Sequence, residues 1–229
     1  MTVGEPGGLF VLDRDNGQFL WATPFPYDVP NFLISDIDEE TGRTRINSEL
    51  ILQRQGDRSL VCFFNTRSFW PTAYSPVTNA LYVPYVDNCL DMTAGGPRFG
   101  VPRPGIDLEK FAGLAKIDMT TGETMRFGER RAPDNGGILV TAGNVLFHGD
   151  LNRRFNAYDA ETGERLWQTI LPGPISVSTI TYAARGRQYV LVMTGDTVLG
   201  AQLANEVGLP VVSGENAIFA FALPEPKGH

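Results

Sequence analysis

The sequence is poor in the residue types that build compact metal or nucleophile sites. Its 229 residues include 2 histidines and 2 cysteines. The histidines are His148 and the terminal His229, so no ligand spacing typical of a zinc site is present. No apolar run approaches the roughly 20 residues that a membrane helix requires, which argues against a membrane span. The first residues lack the basic and apolar regions of a signal peptide, so a secreted parent is expected to carry one upstream.

Acidic residues outnumber basic ones. With 26 Asp and Glu against 19 Lys and Arg, the formal net charge is −7 and the isoelectric point is near 4.9. A diffuse acidic surface argues against nucleic acid and anionic membranes as partners, and is compatible with a basic protein partner. The cysteines, Cys62 and Cys89, indicate two buried free thiols when they are read without further context.

Turn-forming residues are abundant, with 25 Gly and 16 Pro. Helical periodicity is nearly absent, since only 201–207 could form a turn or two. Short apolar runs between turn residues therefore predict an all-β fold, with an irregular stretch at 92–106. The predicted strands are 8–12 paired with 19–21, 80–85, 137–141, 145–148, 155–158 paired with 165–167, 175–181, 188–194 and 217–223.

One short pattern recurs, in which an apolar strand is followed by Asp, two residues, Thr or Asn, Gly, and a second strand. Asp, Asn and Thr side chains cap backbone N–H groups in tight turns, and Gly takes a positive φ. Each copy therefore predicts a hairpin. The copies read Leu-Asp-Arg-Asp-Asn-Gly at 12–17, Ile-Asp-Glu-Glu-Thr-Gly at 37–42, Ile-Asp-Met-Thr-Thr-Gly at 117–122 and Tyr-Asp-Ala-Glu-Thr-Gly at 158–163, with a degenerate Ser-Pro-Val-Thr-Asn at 75–79.

The spacing of these copies predicts a β-propeller. Their last residues fall at 17, 42, 79, 122 and 163, so the last three intervals are 37, 43 and 41 residues. Four-stranded propeller blades repeat about every 40 residues, whereas a β-sandwich, the main alternative, predicts no such period. We expect a single partial propeller domain over 1–229 with four to five blades, and hence a piece of a larger ring.

The last copy, Arg-Phe-Asn-Ala-Tyr-Asp-Ala-Glu-Thr-Gly-Glu-Arg-Leu-Trp at 154–167, resembles the tryptophan-docking repeat of PQQ-dependent (quinoprotein) alcohol and methanol dehydrogenases. In that repeat a Trp stacks between neighbouring blades. Trp21 occupies the same place in the first copy, and the copies ending at 42 and 122 lack a Trp there. The stretches 73–91, 136–149, 186–190 and 219–224 follow in the family's order. The resemblance implies the C-terminal portion of an eight-bladed propeller.

The resemblance also implies a cofactor, partners and a location. Family members are periplasmic, hold PQQ and calcium in the central funnel, oxidise an alcohol with an Asp as general base, and pass electrons to a cytochrome c. It further implies a disulfide between Cys62 and Cys89. Because the family's calcium ligands and catalytic base precede the matched segment, no catalytic or metal-binding residue is expected here. The missing N-terminal propeller half is the expected partner.

Few funnel-facing positions fall within the chain. For the aromatic residues among them, packing between blades is the alternative role, and for the glycine loop the alternative is a plain turn. Where the family has a basic residue in contact with the quinone, this chain has Glu5. Isolated loop aspartates, Asp134, Asp150 and Asp196, are expected to be solvated, and His148 to be structural. The candidate cofactor-binding residues are Ser68, Phe69, Trp70, Asn135, Gly136 and Gly137.

Two functions from different classes follow. The first is the C-terminal part of a PQQ-dependent alcohol dehydrogenase-like protein, which as an isolated chain is expected to be inactive. The alternative is a non-catalytic PQQ-repeat propeller that serves as an interaction scaffold. The matches at 73–91 and 136–149 lie outside the repeats and favour the dehydrogenase, whereas the altered funnel positions favour the scaffold. The repeat period argues against a third class, a sugar-binding β-sandwich.

Overall fold

Five separate antiparallel sheets make up the described part of the protein. The structure is a computed structural model and describes residues 2–4, 8–24, 33–65, 70–134, 136–195 and 198–222. The first sheet has the strand order β1-β2-β3, and the second pairs β4 with β5. Their bounds are Thr2–Gly4 (β1), Gly8–Leu12 (β2), Phe19–Pro24 (β3), Ile34–Ile37 (β4) and Thr44–Ile46 (β5).

The third sheet is built around one long strand, β8. Its first half pairs with β7 and β10, and its second half pairs with β6 and β9. The outermost strand, β11, pairs with β10. The bounds are Arg58–Asn65 (β6), Ala73–Ser75 (β7), Ala80–Thr93 (β8), Arg98–Pro102 (β9), Ala112–Asp118 (β10) and Thr124–Arg130 (β11).

The fourth sheet has the order β12-β13-β14-β15, and the fifth has the order β16-β17-β18. Helical structure is confined, among the described residues, to α1 and two 3₁₀ turns at Ser48–Leu50 and Leu108–Lys110. No helix in the described ranges is long and apolar enough to cross a membrane. The bounds are Leu139–Val140 (β12), Val145–Gly149 (β13), Arg154–Asp159 (β14), Arg165–Ile170 (β15), Ile180–Ala184 (β16), Arg187–Thr194 (β17), Val198–Glu206 (α1) and Ala217–Ala222 (β18).

The recurring turn has the same geometry in all four full copies. In the last copy, Oδ1 of Asp159 accepts the backbone N–H groups of Glu161 and Thr162 at 2.9 and 2.8 Å, and Gly163 has a φ of +73°. The N–H of Gly163 donates to the Asp159 carbonyl at 2.9 Å. These donors stabilise the carboxylate, so the pKa of Asp159 lies below its usual value, with the Thr162 N–H as the largest cause. The predicted hairpins are confirmed.

Successive sheets pack face to face through apolar side chains. The third sheet contacts the first through a cluster that includes Leu9 and Val83. It contacts the fourth through a second cluster, in which Tyr82 lies near Leu146. Phe155 of the fourth sheet packs against Val192 of the fifth. A two-sheet sandwich is therefore wrong, and the partial propeller predicted from the repeat period is confirmed.

Among the segments that differ from the prediction are 92–106 and 175–181. The stretch 92–106 is largely the end of β8 and β9, because Gly95 and Gly96 form the turn of a hairpin rather than the middle of an irregular loop. Residues 175–179 do not form a strand, although 180–184 do. Ile175 is fully buried against Gly149, so its apolar character reflects packing beneath β13 rather than strand pairing.

The two cysteines are joined in a disulfide between adjacent strands. Cys62 and Cys89 are register partners on β6 and β8, and neither is exposed to solvent. This is the pairing that the family resemblance implied, and the expectation of two free thiols is wrong. Spacing gave no hint of it, because the neighbourhood of the two residues depends on the register of β6 against β8.

Candidate functional site

The structure brings together two of the segments predicted to border a funnel. The N–H of Ile138 donates to the carbonyl of Pro71 at 3.0 Å. Gly137 lies so close that a Cβ there would be 2.9 Å from Cδ of Pro71. The segment that begins with Trp70 and the loop that contains Gly136 and Gly137 are therefore neighbours. Ser68, Phe69, Asn135 and Asp196 lie outside the described residues, as does Glu5.

Neither loop glycine has room for a side chain. A Cβ on Gly136 would be 2.7 Å from the carbonyl oxygen of Gly149. The N–H of Gly137 donates to the carbonyl of Val177 at 3.3 Å. The space beside Gly136 is thus filled by backbone and that beside Gly137 by the Pro71 ring, which accounts for the two residues without a ligand.

Trp70 is a core residue in this structure. Its side chain is 1% exposed and belongs to an apolar cluster with Phe111, Leu151 and Leu203 of α1. The ring therefore packs between the third sheet, the fourth sheet and the helix. This is the packing role that the sequence left open as the alternative to a cofactor contact.

A buried ionic network lies directly beneath the glycine loop. Nε2 of His148 is 2.9 Å from Oδ1 of Asp134, and Nδ1 of the same ring is 3.4 Å from the carbonyl oxygen of Gly137. The Arg130 guanidinium pairs with Asp134, and its Nε lies 3.3 Å from Oδ2 of Asp150. Asp134, His148 and Asp150 are all fully buried. The expectation that Asp134 and Asp150 are solvated is wrong, whereas a structural role for His148 agrees with its contacts.

Burial and opposite charges set the electrostatics of this network. Burial raises the pKa of Asp150, and the nearby Arg130 opposes that rise only in part. Burial alone would lower the pKa of Arg130, but the Asp134 and Asp150 carboxylates outweigh it and raise that pKa. Arg130 is therefore a permanent cation. Asp134 and His148 are shielded from water and help to fix the loop in place, whereas Arg130 and Asp150 also border the cavity described below.

The reason sequence reasoning missed this network is distance along the chain. Arg130 ends β11, Asp134 lies in the loop that follows, His148 lies near the end of β13, and Asp150 directly follows that strand. One signal was available: the stretch from 130 to 150 places three ionisable residues at strand ends around a Gly-Gly pair. Such residues are seldom fully buried unless they are paired.

An open polar cavity of about 450 Å³ lies between β11 and the outer strands of the fourth sheet. Its wall includes Arg130, Asp150, Arg154, Asn156 and Gln168. Oδ1 of Asn156 accepts a hydrogen bond from Nε2 of Gln168 at 2.7 Å. Of the described cofactor-binding candidates, Trp70, Gly136 and Gly137, none lines this cavity.

The described residues do not assemble a complete site for PQQ and a metal ion. Within the described ranges, no three His, Cys, Asp or Glu side chains lie close enough together to hold a metal. PQQ is a planar polyanion that needs a flat apolar surface and several cationic or N–H donors. The one described aromatic candidate, Trp70, is buried in the core, and Gly149 backbone and the Pro71 ring occupy the space beside Gly136 and Gly137.

The fold and the sequence match one class of proteins. Residues 108–190 match the family described as the β-propeller domain of glucose, ethanol and alcohol dehydrogenases that use PQQ. The solved structure of a europium-containing methanol dehydrogenase superposes with a TM-score of 0.79 and 27% identity, over 96% of this chain and 44% of that chain. The five sheets are thus part of a quinoprotein-type propeller.

Two relatives with known activities are similar to this chain in sequence. The quinohemoprotein alcohol dehydrogenase ADH-IIG of Pseudomonas putida is 28% identical over 220 residues, which cover 85% of this chain and 30% of that protein. The lanthanide-dependent methanol dehydrogenase of Methylorubrum extorquens is 29% identical, over 81% of this chain and 34% of its own length. The chain belongs to the PQQ-dependent alcohol dehydrogenase family, and it spans about a third of the length of these relatives.

Proposed function

We propose that this chain is the C-terminal part of a PQQ-dependent alcohol dehydrogenase. When complete, the protein would oxidise an alcohol with PQQ and calcium and pass the electrons to a cytochrome c. The observation that carries the proposal is the superposition of nearly the whole chain on less than half of a methanol dehydrogenase. The chain's own contribution is a rigid wall of sheets, with the buried Arg130–Asp134–His148–Asp150 network holding the Gly136–Gly137 loop beside it.

The metal ligands, the general base and most cofactor contacts would come from the remaining sheets of the propeller. Bound PQQ would supply the two-electron oxidation of the alcohol. In this proposal the loop of Gly136 and Gly137 borders the cofactor through its backbone, since Gly149 and Pro71 occupy the space where side chains would stand. Asn135, Ser68 and Phe69 adjoin the same two segments in sequence and complete the proposed rim.

We further propose a periplasmic location. A buried disulfide between Cys62 and Cys89 is typical of proteins that fold in an oxidising compartment. The test is chemical modification of free thiols in protein extracted rapidly from the native host. Full blocking of both cysteines without prior reduction would contradict this location.

The alternative function is a non-catalytic propeller scaffold. The burial of Trp70 and the filled space beside the glycines favour it for the chain by itself. Titration decides between the two functions. PQQ and Ca²⁺ are added to the chain with and without a polypeptide that supplies the remaining sheets, and absorbance and dye-linked alcohol oxidation are followed. Binding and turnover only in the assembled form support the dehydrogenase, and no binding in either form supports the scaffold.

A further inference from the structure

The polar cavity between β11 and the fourth sheet takes no part in the function proposed above. Its volume of about 450 Å³ falls within the range of small-molecule sites, roughly 300–1,000 Å³. The wall is formed mainly by the end of β11 and by β14 and β15, and it also includes Glu109 and Leu209. Because these residues all belong to this chain, ligand binding here can be tested without the remaining sheets of the propeller.

Four arginines line the cavity, and two of them have acidic partners. Arg130 pairs with two buried aspartates, and Arg131 pairs with Glu109. The side chains of Arg154 and Arg165 form no ion pair with any described residue. A guanidinium has a permanent charge and a planar fork of N–H donors that matches a carboxylate. Two unpaired arginines in one cavity therefore indicate an anionic ligand.

The carboxylates of the wall are held by other groups. Glu109 is 2.8 Å from Arg131, and Oε1 of Glu129 accepts a hydrogen bond from the Tyr85 hydroxyl at 3.2 Å. Asp150 lies beside Arg130. None of these carboxylates is paired with the arginines of β14 and β15.

The strand register arranges the polar side chains along one face of the fourth sheet. Arg154, Asn156 and Tyr158 alternate along β14 and so point the same way. Gln168 is the register partner of Asn156, and Arg165 is the register partner of Tyr158. The order along the face is therefore an arginine, a pair of amides, and a second arginine. The first and last β14 positions of this row lie about 13 Å apart along the strand.

Two buried polar atoms between these arginines and β11 have no hydrogen-bond partner among the described residues. Asn156 is 1% exposed, and its Oδ1 accepts from Gln168, whereas its Nδ2 donates to none of them. Asp150 is fully buried, and its Oδ1 accepts the backbone N–H of Arg154 at 3.0 Å, whereas its Oδ2 accepts no hydrogen bond. Unsatisfied buried donors and acceptors are costly. A ligand hydroxyl both donates and accepts, so it can satisfy either group.

We propose that this cavity binds a hydroxylated dicarboxylate. Arg154 and Arg165 each bind one carboxylate of the ligand. The hydroxyls between the two carboxylates accept from Nδ2 of Asn156 and donate to Oδ2 of Asp150. A compact trianion such as phosphate fits this arrangement less well, because the two cations lie at opposite ends of the row and a carboxylate lies near one of them. The site needs no PQQ, so its test is independent of the function proposed above.

The experiment is isothermal titration calorimetry of the full chain with three compounds that share a four-carbon skeleton. Tartrate carries both carboxylates and hydroxyls, succinate lacks the hydroxyls, and threitol lacks the charges. We expect tartrate to bind with a Kd below about 1 mM. Succinate and threitol should bind at least about tenfold more weakly, because each leaves part of the site without a partner. Inorganic phosphate is the fourth probe.

Two variants of the wall and a matched control locate the site. Arg154→Gln and Arg165→Gln each remove one unpaired cation and should weaken tartrate binding by about tenfold. The control, Arg98→Gln, removes the same charge from an exposed arginine on β9 that does not line the cavity and should leave the affinity unchanged. Thermal unfolding without ligand checks that each variant folds. Arg165 is exposed, so its substitution keeps the test valid even if Arg154→Gln fails to fold.

Three results would overturn the proposal. The first is an absence of measurable tartrate binding to the wild-type chain. The second is an equal loss of affinity in Arg165→Gln and Arg98→Gln, which would assign the binding to overall charge. The third is binding of succinate or phosphate as tight as that of tartrate, which would show that the hydroxyls are not recognised.

Discussion

The third sheet is joined to its two neighbours by different kinds of contact. Toward the first sheet the contact is apolar, with Leu9 against Leu81 and Val83, and the Cys62–Cys89 disulfide lies within the same cluster. Toward the fourth sheet an apolar cluster is accompanied by the buried Arg130 network. An apolar contact weakens gradually as methyl groups are removed, whereas a buried ion network fails when one partner is lost. The two junctions should therefore respond differently to substitution.

The largest effect is expected at the ionic junction. Arg130→Met leaves the Asp134 and Asp150 carboxylates buried without their cation, and should lower the free energy of unfolding by about 3–5 kcal/mol. Urea unfolding measures the change. Additional Asp134→Asn and Asp150→Asn substitutions should restore part of the loss, because they remove the uncompensated charges.

A neighbouring arginine provides the control for that prediction. Arg131 pairs with Glu109 at 2.8 Å, but the two side chains are 41% and 68% exposed. Arg131→Met should therefore change the free energy of unfolding by less than about 1 kcal/mol. Similar decreases in the free energy of unfolding for Arg130→Met and Arg131→Met would show that the buried network does not stabilise the contact between the third and fourth sheets.

The disulfide makes the next contribution, at the apolar junction. The bond closes a loop between residues 27 positions apart in sequence. Replacement of both Cys62 and Cys89 by Ala should lower the free energy of unfolding by about 3–4 kcal/mol, mainly through the entropy gained by the unfolded chain. Comparison of the wild type with and without reductant checks the value. A stability that reductant leaves unchanged would contradict the prediction.

Two glycines at the same position of the recurring turn allow the contact between neighbouring sheets to be tested by substitution. Gly17 and Gly163 have φ values of +74° and +73°. A Cβ on Gly17 meets nothing within 4 Å, whereas one on Gly163 would be 2.7 Å from Cβ of Phe127 on the preceding sheet. Ala at either position incurs the same backbone strain, so Gly163→Ala should cost about 1–3 kcal/mol more than Gly17→Ala. Equal decreases in the free energy of unfolding would mean that the Gly163 turn does not pack tightly against Phe127.

The smallest effect is a dependence on pH at α1. Glu206 is partly buried against Gly100 and accepts a hydrogen bond from Asn88, and burial raises its pKa to about 7. A raised carboxyl pKa stabilises the fold below the unfolded value near 4.5 and loses that contribution as pH rises through 7. The free energy of unfolding should fall between pH 5 and pH 8 by on the order of 1–2 kcal/mol after solvent screening.

Glu206→Gln is the control for the pH series. The amide has nearly the same shape and does not titrate, so the slope between pH 5 and pH 8 should largely disappear. A slope that persists in Glu206→Gln would assign the pH dependence to other groups.

Local chemistry predicted the turns well. The Asp and Gly of each repeat act within six residues, so their hydrogen bonds and positive φ could be derived without tertiary context. The predicted pairing of 8–12 with 19–21 is found as β2 with β3, which extends to Pro24. The period of the repeats then gave the propeller, because each copy marks the same place in successive sheets.

Long-range neighbours could not be derived in that way. The role of Trp70 depends on Leu203 of α1, which is distant in sequence. The burial of Asp134 depends on Arg130 and on His148 across the β12–β13 hairpin. A tryptophan or an aspartate in the sequence does not show which residues it contacts until the register of the strands is known. The disulfide came only from family resemblance, for the same reason.

The length of β8 has a consequence for how the molecule opens. Residues 80–86 of this strand pair with β10, and residues 86–93 pair with β6. Because the two pairings meet at Val86 on one continuous strand, we expect the two halves to open together rather than independently. Amide protons on β6 and β10 should therefore exchange with solvent at a common rate, as one cooperative unit, although the two strands pair with different halves of β8.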